Sequence, residues 1–83
     1  MQVVYLSVAE FEVEYCHGCK CDYVTVYNGD QPDSNTVMDT WCGYDRPLSL
    51  VTSQQDAYVT FVTDDDTNRD GFLINYMFVY LAG

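Results

Sequence analysis

The stretch FVTDDDTNRDGFLINYMFVY, residues 61–80, decides the fold. From Asp66 it runs D-T-N-R-D-G, with oxygen-bearing side chains at positions 1, 3 and 5 and glycine at 6, as an EF-hand calcium loop begins. Position 12 of such a loop must be a bidentate glutamate, and here it is Met77, which offers calcium no oxygen. The flanks exclude it as well, because an EF-hand loop joins two helices. After Gly71 the chain alternates Phe72, Ile74, Tyr76, Phe78 and Tyr80 with other apolar residues, the pattern of a long, largely buried strand. Before the acids, Ala57, Val59 and Phe61 alternate with Tyr58, Thr60 and Val62. The acidic run is therefore a turn between two strands.

Working outward, the same period of two recurs. Val4, Leu6 and Val8 alternate, and the phase then slips at Ala9–Glu10 to Phe11 and Val13, as a bulge or bend requires. DYVTVYNGD alternates Tyr23, Thr25 and Tyr27 with Val24 and Val26 and stops at the turn pair Asn28-Gly29. DQPDSNT is a polar loop of turn formers, VMDTWCG a short segment ending at Gly43, and RPLSLVTS alternates at Leu48 and Leu50. No helical period of useful length and no internal repeat appears. The pattern predicts an all-β fold, an antiparallel two-sheet β-sandwich.

Composition narrows the function. The 83 residues make at most one small domain, and its 8 Tyr and 4 Phe rule out a disordered acidic tail. Thirteen Asp and Glu face only Lys20, Arg46 and Arg69, for a net charge of −10. Such a surface repels phosphate backbones, which argues against nucleic acid as a partner, and it suits cations or Lys- and Arg-bearing proteins. For most of these carboxylates the simpler role is to keep an aromatic-rich β domain in solution. The N-terminal MQVVYLSVAEFEVEY lacks the basic and apolar regions of a leader, and no apolar run approaches the ~18–20 residues of a membrane span.

YCHGCKCD places Cys16, His17, Cys19 and Cys21 within six residues. Zinc accepts these ligands, but the only distant cysteine is Cys42 and there is no second histidine, so two chelating pairs from separate segments do not form. Disulfides explain the four cysteines better and point to an oxidising compartment. A bridge from the cluster to Cys42 closes roughly 24 residues and stabilises by about 3–4 kcal/mol. The remaining two close a local loop, Cys16 with Cys21 being the natural pair. Trp41, beside Cys42, is assigned to packed core, with an exposed Trp41–Tyr44 patch as the alternative. Nothing suggests an enzyme: Ser7, Ser34, Ser49 and Ser53 lack a recognisable base, and the one histidine sits among the cysteines.

Taken in order, FEVE, Cys19, DYVTVYNG, WCG, Pro47, FVTDDD and GFLINY resemble the CUB domain of extracellular proteins, from about Val4 to Tyr80. The resemblance implies a jelly-roll-like sandwich and a secreted, extracellular setting. It implies a Cys19–Cys42 disulfide, which leaves Cys16 and Cys21 as extra residues. The family's glycine-rich opening segment and first cysteine pair have no counterpart, so residues 1–83 are expected to be a single partial CUB domain lacking the usual first strands. Strand edges left exposed in this way would allow assembly with another chain.

Many CUB domains hold calcium at one end of the sandwich. By that resemblance the ligands here are Glu14, Asp22 and Asp64, with backbone carbonyls at about Asp66 and Thr67. Three converging carboxylates repel one another unless a divalent cation neutralises them, and Ca2+ accepts irregular oxygen shells. Glu14, Asp22 and Asp64 would also present acceptors to a Lys or Arg of a partner protein. The expected function is a calcium-dependent protein–protein interaction module. The alternative is a structural spacer or assembly domain whose calcium only rigidifies loops.

Overall fold

A computed structural model of the chain describes residues 1–63 and 71–82. Six strands follow in order: β1 (Gln2–Glu12), β2 (Tyr23–Asn28), β3 (Val37–Trp41), β4 (Leu50–Val51), β5 (Ala57–Val62) and β6 (Gly71–Tyr80). They form two three-stranded antiparallel sheets, ordered β4-β1-β6 and β3-β2-β5. The only helical element among the described residues is a 3-10 turn, Ser34–Thr36, capped by the Asp33 carboxylate accepting from the Asn35 N–H at 2.9 Å. The chain is thus the antiparallel all-β sandwich that its alternating pattern predicts.

β1 supplies most of one core face. Val4, Leu6 and Val8 point inward, and then the register slips between Val8 and Glu10, so that Phe11 and Val13 continue the inward row. The slip at Ala9–Glu10 in the sequence is this bulge; without it, period-two geometry would turn Phe11 to solvent. From the opposite sheet Val24 and Val26, both 0 % exposed, and Trp41 close the core. Trp41 meets Phe11 edge-on at 6.3 Å and donates from Nε1 to Asp39 Oδ2 at 2.9 Å. Its core assignment holds, while Tyr44 lies exposed.

Two polar ties fix the connections between the sheets. Buried Thr52 accepts from the Val4 N–H through Oγ1 at 2.9 Å and donates to the Gln54 carbonyl at 2.8 Å. Asn28, at the predicted turn after β2, accepts from the N–H groups of Ser53 and Gln54 and donates to Ser53 Oγ at 2.7 Å. Turn-forming Asn28 therefore clamps the segment that leads into β5.

Two expectations need correcting. Leu48 lies outside any strand and is highly exposed, because Arg46–Ser49 is irregular and only Leu50–Val51 pairs with β1. β6 is long but not largely buried: Leu73, Tyr76, Met77, Phe78 and Tyr80 are all exposed. Its alternation is intact, but among the described residues β6 is an edge strand, and the facing strand β5 meets it where Phe61 packs on Phe72 at 5.2 Å.

Candidate carboxylate site at the disulfide end

Beyond β1 the chain makes one more antiparallel bridge, Val13 with Gly43, through hydrogen bonds of 2.9 and 3.0 Å. Gly43 has φ +92°, a left-handed conformation that favours glycine, and a Cβ there would make only an ordinary contact with the Tyr15 ring at 3.5 Å. The bridge sets Glu14 and Cys42 side by side at one end of the sandwich.

From there the cysteines fold residues 14–22 into a knot. Cys16 is bonded to Cys21, with Cα atoms 5.5 Å apart, and Cys19 to Cys42, with Cα atoms 5.6 Å apart. The Cys19 N–H donates to the Cys16 carbonyl at 2.9 Å, and Gly18 and Cys19 both take positive φ, 74° and 55°. These left-handed residues let the chain reverse inside a six-residue loop. With all four thiols consumed, no thiolate remains for zinc or for nucleophilic attack.

Glu14 and Asp22 flank this loop. A Glu14 carboxylate oxygen lies within 4.8 Å of both the Cys16 and Cys21 sulfurs, and Oε1 is buried. It therefore packs against the residue that precedes Asp22. A bridged sulfur pair is not a metal ligand set, so this grouping marks Glu14's position and nothing more. Asp22 is only 5 % exposed, and both Glu14 and Asp22 take part in further interactions. The local Cys16–Cys21 loop thus holds two acids eight positions apart in the same region.

Asp64, Asp66 and Thr67 lie outside the described residues. The strands on either side of them are described. β5 ends with Val62 paired to Tyr23, the neighbour of Asp22, and β6 begins with Gly71 paired to Glu12, two residues before Glu14. The described strand ends on either side therefore lie opposite Tyr23, the neighbour of Asp22, in one sheet and opposite Glu12 in the other. The EF-hand alternative fails in space as it does in sequence: strands flank the segment, and Met77 sits within β6 opposite Tyr5.

The family resemblance singled out Glu14 and Asp22 but not the contact between Glu14 and the local disulfide. The signal was available, since Glu14 stands two residues before Cys16 and Asp22 one after Cys21. An apolar groove between β5 and β6 was also missed.

The family model for the CUB domain matches residues 1–76. The chain is 38 % identical to human cubilin over 74 residues, which is 89 % of this chain and 2 % of that protein. It is 30 % identical to mouse procollagen C-endopeptidase enhancer 2 over 77 residues, 93 % of this chain and 19 % of that one. To Xenopus laevis bone morphogenetic protein 1 it is 32 % identical over 71 residues, 86 % of this chain and 10 % of that protein. The chain therefore spans at most about a fifth of the length of these relatives. CUB homologues are extracellular or secreted proteins, and the domain is a non-catalytic module even where the whole protein is an enzyme by name. No helix among the described residues is long and apolar enough to cross a membrane. With the sandwich, the paired cysteines and the matched span in agreement, the chain belongs to the CUB domain family.

Proposed function

We propose that this domain is an extracellular, calcium-dependent protein-interaction module, and that it performs no catalysis itself. Glu14, Asp22 and Asp64, with the carbonyls of Asp66 and Thr67, hold one Ca2+ at the disulfide end of the sandwich. The observation that carries this reading is the pair of anchors, Val62 opposite Tyr23 and Gly71 opposite Glu12. The described strand ends that flank residues 64–70 thus lie opposite Tyr23, next to Asp22, and opposite Glu12, two residues before Glu14, which supports the reading. Calcium favours such a set because its 6–8 oxygen ligands need no rigid geometry.

Three carboxylates around a divalent ion leave one net negative charge. A Lys or Arg side chain of a partner protein neutralises it and donates charge-assisted hydrogen bonds to the carboxylate rim. The partner's contact is then ion-dependent, because calcium removes the mutual repulsion that would otherwise spread the acids apart. At millimolar extracellular calcium, a site with Kd on the order of 10⁻⁴–10⁻³ M is half-filled or better.

The test is calcium binding measured by competition with a chromophoric chelator, on the parent protein and on Glu14→Gln, Asp22→Asn and Asp64→Asn. One site per chain is expected, weakened at least about tenfold by each substitution. Stoichiometric binding that survives all three substitutions places the ion elsewhere. Retention on a lysine-bearing matrix, lost on chelation, separates the interaction module from a spacer in which calcium only stiffens loops.

A further inference from the structure

We infer that the cleft between Tyr15 and Tyr44, beside the Cys19–Cys42 bridge, is a binding site for one arginine side chain of a protein partner, and that it works without calcium. The cleft holds about 250 Å³ and is lined, among the described residues, by Tyr15, Cys42, Gly43, Tyr44 and Asp45. Glu14 and Asp22 are not part of its lining, so it is distinct from the carboxylate site, although Tyr15 follows Glu14 in the chain. It is smaller than the ~300–1,000 Å³ of a pocket for a drug-sized molecule, and it has room for a single long side chain.

The backbone under both walls is fixed before anything binds. Tyr15 precedes Cys16, which is bonded to Cys21, and Tyr44 follows Gly43, which is held to Val13 by hydrogen bonds of 2.9 and 3.0 Å. Cys42, in the floor, is bonded to Cys19. Gly43 leaves the floor without a side chain, and the Tyr15 ring lies over it, 3.5 Å from where a Cβ would stand. Even so, Tyr15 is 57 % exposed and Tyr44 54 %. Two aromatic side chains are thus held in water on a frame that a ligand need not order.

Charge and shape select the occupant. Asp45 supplies a carboxylate to the lining, and Arg46, next in the chain, reaches the Ala9 carbonyl at 3.5 Å. The net charge of −10 concentrates cations at such a surface and repels anions. Tyrosine faces attract a cation through the ring quadrupole. A guanidinium also stacks flat on a ring while its N–H groups donate in a fork to a carboxylate, and its aliphatic stem covers the apolar walls. Lysine brings a compact, strongly hydrated charge with no flat face to stack. A neutral sugar ring stacks on tyrosine too, but it gains nothing from the charge.

The probe is the peptide acetyl-Gly-Arg-Gly-amide, titrated into the isotope-labelled, oxidised protein in chelator and followed by NMR, so that the outcome does not depend on the carboxylate site. Saturable shifts are expected at the amides of Tyr15, Gly43, Tyr44 and Asp45. Binding should be at least about threefold tighter than for the lysine peptide and about tenfold tighter than for the norleucine peptide. Tyr15→Leu, Tyr44→Leu and Asp45→Asn, all at exposed positions, should each weaken it about threefold or more while the rest of the spectrum stays unchanged. Tyr15→Phe and Tyr44→Phe, which keep the ring face, should bind within about twofold of the parent. No saturable shift at these amides, lysine or norleucine binding as tightly as arginine, or binding that survives both leucine variants overturns the proposal. So does a methyl glucoside that binds there more tightly than the arginine peptide, which gives the cleft to a neutral sugar.

Discussion

Removing the two disulfides separately should have unequal effects, and the inequality follows from the pairing. Cys19–Cys42 spans a sequence separation of 23 and Cys16–Cys21 one of 5. Loop-closure entropy in the unfolded chain gives about 3.4 kcal/mol for the first and about 2.2 kcal/mol for the second. A domain of this size has a total stability of about 4–12 kcal/mol, so the longer bridge carries between a quarter and most of it. The perturbations are Cys19→Ala with Cys42→Ala, and Cys16→Ala with Cys21→Ala, each leaving the other bridge intact. Thermal unfolding followed by far-UV circular dichroism, in chelator, reads the difference. At about 4–8 °C per kcal/mol, the short-loop variant should melt ~9–18 °C below the parent and the long-loop variant ~14–27 °C below it. Cys42 also adjoins core Trp41, which can only widen the gap. A short-loop variant that melts as low as the long-loop variant, or lower, would refute the chain-entropy account. It would assign the local knot a packing role that the long bridge lacks.

Other consequences follow from the core and its polar ties. Val26→Ala removes two buried carbons at a fully buried site and should cost about 2–3 kcal/mol in urea unfolding with m unchanged. Thr52→Val strips the acceptor from the buried Val4 N–H and should cost about 1–3 kcal/mol, whereas Thr52→Ser should recover most of it. Gly43→Ala forces a side chain into φ +92° beside Tyr15 and should cost at least about 1 kcal/mol, seen as a lower melting midpoint. Leu48→Ser, at an exposed position outside every strand, should change stability by less than about 0.5 kcal/mol, and a larger loss would mean that Leu48 is covered in solution.

Local pattern carried a good deal of this structure. The phase slip at Ala9–Glu10 located the bulge because period-two alternation leaves only one way to keep both Val8 and Phe11 inside. Met77 in place of a glutamate excluded the EF-hand because calcium requires an oxygen there. Exposure of β6 was not legible: alternation states which face a side chain takes, and only the neighbouring sheet decides whether that face is covered. Leu48 misled for a similar reason, since two alternating leucines describe a strand only if a partner strand lies alongside. For the site, the family resemblance, not residue type or spacing alone, pointed to Glu14 and Asp22. Strand register, which no local pattern encodes, tied the ends of the segment bearing Asp64 to their neighbours.

Calcium binding by the folded domain is the claim on which the proposed function rests, and linkage gives its most direct measurement. The melting midpoint of the oxidised protein is followed from chelator to about 5 mM Ca2+, beside the same series on Asp22→Asn. For Kd of about 10⁻⁴–10⁻³ M the folded state gains about 1–2.3 kcal/mol, hence a rise of at least ~4 °C in the parent protein and little or none in the variant. A clear cooperative melt that calcium leaves unmoved, or that it raises equally in Asp22→Asn, would contradict the assignment of the ion to Glu14, Asp22 and Asp64.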